Sequence, residues 1–144
     1  MTPPAGEVDG GRVRGIGVDA VDVVRFRRVL ERRPGIVDRL FTETERAYAA
    51  RSADPGPRLA VRFAAKEAVL KALGVGVGAA GFRDVEVVRA DNGAPGLALT
   101  GRAAALSLGR GISRWHVSLT HTDTVAVASV VAEGTSRRDH EVTS

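Results

Sequence analysis

The sequence favours an α+β domain, because a run of helical segments is followed by two stretches that alternate like β-hairpins. The longest helical pattern is RLAVRFAAKEAVLKAL at residues 58–73, where apolar side chains recur on one stripe. The hairpin patterns are FRDVEVVRADNGAPGLALT at 82–100 and WHVSLTHTDTVAVASVVA at 115–132. The predicted order is a strand, three helices, a hairpin, a helix and a second hairpin, a grouping typical of α+β proteins.

The first strand and the first helix are expected near the N-terminus. RVRGIGVD at residues 12–19 is a short apolar run that predicts a strand ending at a carboxylate, and Gly15 and Gly17 would let another backbone approach it closely. DVVRFRRVLERR at residues 22–33 has apolar residues at helical spacing and arginines on the other side. The sequence therefore predicts an amphipathic helix with a basic face, which Pro34 ends.

The remaining helices are marked by their ends. Thr42 followed by Glu45 is a capping-box pattern that opens a short helix. The helix at 58–73 ends at Gly74, and its many alanines predict close packing on a second side. GRAAALSLGRG predicts a short helix that ends near Gly109.

Length and composition indicate one soluble domain. The chain has 144 residues, which we divide into a disordered tail at 1–11, a domain at 12–133 and a second disordered tail at 134–144. Only 4% of the residues are aromatic, so the core must rely on Val, Ala and Leu and leaves room for oligomerisation to add burial. The sequence shows no apolar run long enough for a membrane span and no signal-peptide core, so we expect a cytoplasmic protein.

The charged residues favour an acidic partner. Lys and Arg number 21 against 17 Asp and Glu, giving a net charge of +4, which suits phosphate esters, acidic proteins or nucleic acid. All but two of the basic residues are arginines, and the lysines are Lys66 and Lys71. Lysine at these two positions indicates a role that a guanidinium cannot fill, or it stands there by chance. The absence of cysteine excludes disulfides, thiol catalysis and thiolate metal sites.

Three charged side chains are candidates for chemistry. Asp19 follows the first strand, where a carboxylate can either meet a ligand or cap the next helix, and Asp22 competes for the capping role. Glu67 and Lys71 are four residues apart on the long helix, so an exposed salt bridge is their ordinary explanation. Neighbouring alanines indicate a packed helix, which weakens that explanation. Asp19 and Glu67 together would suit Mg²⁺.

Glycines and histidines add weaker candidates. Residues 74–78, GVGVG, could bring backbone N–H groups to a phosphate, although they match neither a Walker A loop nor a dinucleotide fingerprint. His121 lies at the turn of the last hairpin, whereas His116 alternates within a strand. A catalytic triad of Ser118, His121 and Asp123 is disfavoured, because side chains so close on one strand and turn point in diverging directions.

Several segments resemble the small, stand-alone 4′-phosphopantetheinyl transferases of the holo-acyl-carrier-protein synthase family. The motifs that carry the resemblance are GIGVDAVDVVRF at 15–26, RFAAKEAVLKALGVGVG at 62–78 and HVSLTHTDTVAVASVV at 116–131. FRDVEVVRADNGAPGLALTG at 82–101 is similar to the family's central hairpin. The resemblance covers residues 13–133 and implies the family's α+β fold, with a long helix packed on a small antiparallel sheet.

The resemblance also implies an activity and an assembly. Members of the family move 4′-phosphopantetheine from coenzyme A to a serine of an apo acyl carrier protein, for fatty acid or polyketide synthesis, and release adenosine 3′,5′-bisphosphate. The active form implied is a homotrimer with its sites between subunits. By the same resemblance, Asp19 and Glu67 match the Mg²⁺ carboxylates, Glu67 and Lys71 match catalytic positions, and Lys71 lies near the coenzyme A pyrophosphate.

Binding positions follow from the resemblance as well. Arg62, Gly74, Gly76 and His121 match positions that hold the nucleotide of coenzyme A. Arg25, with Arg28 on the same basic helix face, matches the surface that docks the acidic helix of the carrier protein.

Two other functions compete with this interpretation. A coenzyme A or nucleotide-binding module without transferase activity would need Arg62 and His121 but not the paired carboxylates. A nucleic-acid-binding domain would use the arginines of residues 25–33, but one Trp and one Tyr offer little for base stacking, and we expect no nucleic-acid partner and no membrane partner.

Overall fold

The computed structural model describes residues 11–135, and the tails predicted at 1–11 and 134–144 lie almost wholly outside this range. The strands are β1 (Arg12–Asp22), β2 (Val85–Arg89), β3 (Pro95–Leu99), β4 (Ile112–His121) and β5 (Val125–Gly134). The helices are α1 (Val23–Arg32), α2 (Ile36–Leu40), α3 (Glu43–Ala50), α4 (Gly56–Ala72) and α5 (Gly101–Gly109), with a 3₁₀ turn at Phe82–Asp84. This arrangement confirms the α+β class.

The strands form two antiparallel sheets. The larger has the order β1-β5-β4, and in its register Asp19 pairs with Ala128 while His121 pairs with Ala126. The smaller is the β2–β3 hairpin. Helix α4 packs along the larger sheet and contacts β1 and β5 extensively. The long helix on a small antiparallel sheet is therefore present.

Helix α4 lies unusually close to β1, because small residues face one another. A Cβ atom on Gly17 would collide with the carbonyl of Ala68, and one on Gly15 would collide with the carbonyl of Ala72. Ala68 itself is fully buried. The predicted close backbone approach at the two glycines is confirmed, and the contact is made by α4.

The opposite face of the larger sheet is uncovered in the single chain. Its β1 residues Val13, Ile16 and Val18 are 64%, 70% and 59% exposed. Three neighbouring apolar side chains with this exposure are typical of a surface that meets a partner.

Two aromatic stacks connect the halves of the core. Phe63 on α4 stacks on Phe26 of α1 at 5.2 Å between ring centroids and packs against Phe82 at 5.5 Å. Phe82 contacts both buried apolar clusters, one under the larger sheet and one among α1, α3 and α4. Three of the aromatic side chains, Phe26, Phe63 and Phe82, thus connect the two clusters.

The predicted caps are present, one helix was missed, and some of the element bounds differ from the prediction. Asp22 caps α1 by accepting a hydrogen bond from the backbone N–H of Arg25, and Thr42 and Glu45 form the capping box of α3. Strand β1 continues to Asp22 rather than ending at residue 19. Helix α2 was not predicted, because five residues show too little periodicity. Strand β5 extends to Gly134, one residue into the predicted tail.

Candidate active site

An open cavity of about 640 Å³ lies between β1, α1, α2 and α4. Its polar wall includes Asp19 and Glu67, and its apolar wall is formed largely by α1, α2 and the rings of Phe63 and Phe82. The cavity therefore combines a pair of acidic groups with an apolar chamber beside them, as ligand sites commonly do.

Asp19 reaches the cavity from within a strand, so the predicted position at a strand end is wrong. Alternation along β1 turns its side chain towards α4, on the face that Gly17 also occupies. The side chain is 14% exposed. Because Asp22 provides the cap of α1, Asp19 is free for another partner.

Glu67 approaches the same cavity from α4. Partial burial raises the pKa of its carboxyl group, the charge of Asp19 raises it further, and the charge of Lys71 opposes both effects. A cavity in which the charge of one carboxylate disfavours the ionisation of Glu67 is a site that a cation would stabilise.

Lys71 bonds to Asp19, not to Glu67. Its Nζ donates hydrogen bonds to Asp19 Oδ1 at 2.9 Å and to the carbonyl of Val18 at 3.1 Å. The hydrogen bond and charge of Asp19 raise the pKa of the Lys71 ammonium group. Among residues 11–135 no ion pair joins Glu67 to Lys71, so the helical salt bridge that would be their ordinary explanation is absent. The tertiary approach of β1 supplies a better partner.

The two carboxylates fit a hard cation that keeps part of its coordination shell. Within residues 11–135 no group of three or more His, Asp or Glu side chains could surround a metal ion. An ion at Asp19 and Glu67 would therefore take its other ligands from water or substrate. Mg²⁺ commonly binds in this way, through one or two carboxylates and phosphate oxygens.

The basic side of α1 borders the cavity. Arg25 lines it, and Arg28 is exposed on the same helix. Arg27 instead pairs with Asp54 at 2.7 Å and fastens α1 to the loop before α4. The structure thus places Arg25 at the cavity and leaves Arg28 exposed on the same helix.

Arg62 lies elsewhere on α4. It is 2% exposed, it donates to the carbonyl of Arg58 at 3.1 Å, and its guanidinium stacks 4.5 Å from the ring centroid of Tyr48. Burial and the charge of Arg89 lower its pKa. Five residues separate Arg62 from Glu67, about 140° around the helix, so the two side chains point to different sides of α4.

The remaining predicted residues also lie outside the cavity of one chain. Gly74 adopts a φ of +70° at the end of α4, and Gly76 is exposed with open space around it. Between Gly76 and Gly78, Val77 lines the cavity. His121 is exposed at the end of β4. The fold of a single chain therefore brings together Asp19, Glu67, Lys71 and Arg25, and leaves Arg62 and His121 apart.

Sequence reasoning missed one feature next to the site. Lys66, adjacent to Glu67, is fully buried and forms an ion pair at 2.7 Å with Glu45, which had been assigned only a capping role. The scarcity of lysine drew attention to Lys66, but it did not identify Glu45 as its partner.

Comparisons with known proteins agree with this architecture. A model described as the 4′-phosphopantetheinyl transferase superfamily matches residues 15–130. A holo-[acyl-carrier-protein] synthase of Clavibacter michiganensis subsp. michiganensis is 50% identical over 122 residues, which cover 85% of this chain and 97% of that protein.

Two solved structures are similar to the whole domain. The holo-[acyl-carrier-protein] synthase of Neisseria meningitidis superposes with a TM-score of 0.78 at 32% identity, covering 85% of this chain and 99% of that one. The enzyme of Bacillus anthracis, solved in complex with coenzyme A (3′,5′-ADP), gives a TM-score of 0.71 at 33% identity. The match covers 85% of this chain and 98% of that one. The chain belongs to the 4′-phosphopantetheinyl transferase superfamily, within its family of holo-acyl-carrier-protein synthases. It is accordingly an enzyme, a 4′-phosphopantetheinyl transferase.

Proposed function

We propose that this holo-acyl-carrier-protein synthase transfers 4′-phosphopantetheine from coenzyme A to a serine of an apo acyl carrier protein in the cavity beside Asp19 and Glu67. The serine oxygen forms a bond to the β-phosphorus of coenzyme A. The bond from that phosphorus to the bridging oxygen breaks, adenosine 3′,5′-bisphosphate leaves, and the hydroxyl proton passes to a base. We place the reaction in the cytoplasm, on a carrier of fatty acid or polyketide synthesis.

The observation that carries the proposal is that two carboxylates line one cavity and that one of them, Asp19, holds the ammonium group of Lys71. The charge of Asp19 raises the pKa of Glu67, and Lys71 bonds directly to Asp19. Both carboxylates are therefore assigned to Mg²⁺. When bound there, Mg²⁺ would neutralise charge that develops on the pyrophosphate.

The chain's own residues would handle the proton and the leaving group. Glu67 is the candidate to accept the serine proton, because its raised pKa brings it closer to neutral pH. Lys71 has an exposed ammonium group that can turn from Asp19 to the departing phosphate and stabilise or protonate it.

The nucleotide-binding residues support an assembly of several chains. Arg62 and His121 are assigned to the nucleotide of coenzyme A, yet neither lines the cavity of one chain. A site between subunits would bring these residues from one chain to the carboxylates of another. We therefore propose a homotrimer that buries the apolar face at Ile16 and Val18, with Gly74 and Gly76 also beside the nucleotide.

The carrier protein is proposed to dock on α1. Arg25 presents positive charge at the cavity and Arg28 presents it on the exposed surface of the same helix, which suits the acidic helix of an acyl carrier protein. The serine of the carrier would then enter between α1 and the two carboxylates.

Mass spectrometry of an apo acyl carrier protein tests the reaction. Incubation with this enzyme, coenzyme A and Mg²⁺ should add one phosphopantetheine, and EDTA should prevent the addition. Glu67→Ala should lower the rate at least a hundredfold, a typical effect of removing one group that acts in the transition state. Glu43→Ala, which removes an exposed carboxylate on α3, serves as the matched control.

The alternative is a coenzyme A-binding module without transferase activity. No mass gain across several carrier proteins, with coenzyme A still bound, would favour that alternative and overturn the proposed reaction.

A further inference from the structure

A buried ion pair holds together the part of the molecule that lies behind the cavity. Lys66 and Glu45 both have fully buried side chains, and Lys66 Nζ lies 2.7 Å from Glu45 Oε1. Burial lowers the pKa of Lys66, and Glu45 opposes that shift by its charge and its hydrogen bond. The pair is completely inside the protein, so its partners rather than solvent define its geometry.

Every donor of the Lys66 ammonium group has an acceptor. Besides Glu45, Nζ donates to the carbonyl of Phe82 at 2.9 Å and to the carbonyl of Val85. An ammonium group has three N–H donors, and three acceptors use all of them. The Phe82 and Val85 carbonyls begin and follow the 3₁₀ turn, so Lys66 ties this turn to α4.

Glu45 extends the network to two more elements. Its Oε1 accepts a hydrogen bond from the backbone N–H of Thr42 at 3.0 Å, and its Oε2 accepts one from the N–H of Val87 at 3.0 Å. The two side chains therefore join α3, α4, the 3₁₀ turn and β2. A shift of either side chain would break hydrogen bonds to several of these elements at once.

The 3₁₀ turn is also part of the cavity. Phe82 lines the cavity and packs 5.5 Å from the ring centroid of Phe63, which lines it as well. Lys66 and Glu67 are neighbours in sequence, about 100° apart around α4. The same turn of the helix thus presents a carboxylate to the cavity and a fixed ammonium group to the backbone of Phe82.

We propose that Lys66 and Glu45 are positioning residues of the transferase, which hold the ring of Phe82 at a fixed distance across the cavity from Glu67. The role rests on the proposed reaction taking place in this cavity. Buried ion pairs can often be replaced by apolar residues without loss of stability, so stability alone does not explain one. The bonds from Lys66 to the carbonyl of Phe82, which lines the cavity, and to the carbonyl of Val85 directly after the 3₁₀ turn explain why the pair is present.

The chemistry of lysine suits the task. Its compact ammonium group meets three acceptors that approach from different sides, whereas the planar guanidinium of arginine would need a larger, flat site. This accounts for a lysine here in a chain that otherwise uses arginine almost throughout.

The test compares the double variant Glu45→Gln/Lys66→Met with wild type and with Phe82→Leu. The double variant removes both charges and keeps an amide oxygen for one of the two backbone donors, the N–H of Thr42 or of Val87. We expect kcat to fall about tenfold with the dissociation constant of coenzyme A changed less than twofold, because a displaced wall affects the reacting geometry rather than nucleotide binding. The exposed pair in Asp38→Asn/Arg46→Met is the control and should leave kcat unchanged.

A double-mutant cycle separates positioning from general stability. The triple variant combines Glu45→Gln/Lys66→Met with Phe82→Leu. If Lys66 acts through Phe82, its kcat should be no lower than the lower kcat of the double variant and Phe82→Leu, because the two effects are not additive. Should the double variant fail to fold, Glu45→Asp keeps both charges but retracts the carboxylate by one methylene, and the same lowering of kcat without a change in coenzyme A affinity is expected.

The outcomes distinguish this role from the proposed function. A kcat within twofold of wild type, or effects that multiply in the triple variant, would overturn the positioning role alone. No transfer by the wild-type enzyme would overturn the proposed function and the positioning role together.

Discussion

At the scale of single residues, Asp19 interacts with both of the other charged groups of the proposed site, Glu67 and Lys71. Its hydrogen bond holds the ammonium group of Lys71, and its charge raises the pKa of Glu67. A cation entering between the carboxylates must therefore compete with Lys71 for an oxygen of Asp19. Lys71 is 54% exposed, so it can leave at little cost.

Lys71→Met should change the affinities for metal and coenzyme A in opposite directions. Without coenzyme A, Mg²⁺ or Mn²⁺ should bind about two- to fivefold more tightly, which corresponds to the loss of a competing exposed ion pair. Coenzyme A should bind more weakly, because its phosphates lose the attraction of the Lys71 ammonium group. Titration calorimetry measures both, and unchanged metal affinity would refute the competition with Lys71.

Glu67→Gln should stabilise the metal-free enzyme at neutral pH. Because the pKa of Glu67 is raised in the folded state, its contribution to stability is present below the ordinary value of 4.5 and is lost as pH rises through the folded pKa. The uncharged amide removes this loss, so the unfolding midpoint should rise by roughly 2 °C at pH 7.

The difference between Glu67→Gln and wild type should shrink as the pH falls below 4.5, where the carboxyl group becomes protonated in both the folded and the unfolded state. Added Mg²⁺ should raise the midpoint of wild type and leave Glu67→Gln nearly unchanged. Thermal scans from pH 4 to pH 8 give both results, and a variant less stable than wild type at pH 7 would contradict the assignment.

At the scale of elements, the site depends on the distance between β1 and α4. Asp19 lies on β1 and Glu67 on α4, so the separation of the two elements sets whether one cation can meet both. The carbonyl of Ala68 fills the space where Gly17 has no side chain. The glycine is therefore a requirement of the proposed active site as well as of packing.

Gly17→Ala should weaken both the fold and the site. The added methyl group must push α4 away, at a cost of about 1–3 kcal/mol in the free energy of unfolding. Gly76→Ala adds the same group in open space and should change stability by less than about 0.5 kcal/mol. Urea unfolding measures the free energy of unfolding of both variants. Equal values would mean that α4 can move away from β1 without a cost in stability.

Helix α1 is the second element whose placement matters, since its Arg25 lines the cavity. Arg25→Glu should raise the KM for the acyl carrier protein roughly tenfold and weaken its dependence on salt, because docking loses an attractive charge. Arg110→Glu makes the same change of charge at the end of α5 and should leave KM alone. Steady-state kinetics at two salt concentrations test this, and equal effects of both variants would indicate a nonspecific response to net charge.

At the scale of the whole molecule, one face of the larger sheet is covered and the other is not. Helix α4 buries Ala128 and Val130 of β5, whereas Ile16 and Val18 of β1 remain largely exposed. Among residues 11–135, no helix combines the length and apolar character that crossing a membrane requires. The proposed trimer would cover the exposed face with neighbouring chains.

Ile16→Glu should dissociate the proposed trimer. A charge in the middle of the apolar face would be buried without a partner on assembly, so the variant should elute as a monomer and lose transfer activity. Leu108→Glu alters a side chain that is 79% exposed on α5 and should leave the assembly intact. Light scattering after size exclusion decides the point, and a monomeric wild type would rule out the trimer.

The sequence predicted the elements well where the local pattern was long. Helix α4, the two hairpins and the capping residues Asp22 and Thr42 follow from periodicity and from short-range hydrogen bonding. Helix α2 is one turn and a half long and leaves almost no pattern. The end of β1 was misplaced, because a strand is extended by pairing with β5, which is more than a hundred residues away.

By itself, the sequence determined the α+β class, the candidate residues Asp19, Glu67 and Lys71, and the motifs that place the chain in its family. The tertiary structure alone decided which charges meet: Lys71 with Asp19 rather than Glu67, and Lys66 with Glu45. The reason is physical, since periodicity and capping act over a few residues. The partner of a charged side chain depends on which distant element packs against it and on whether water is excluded there.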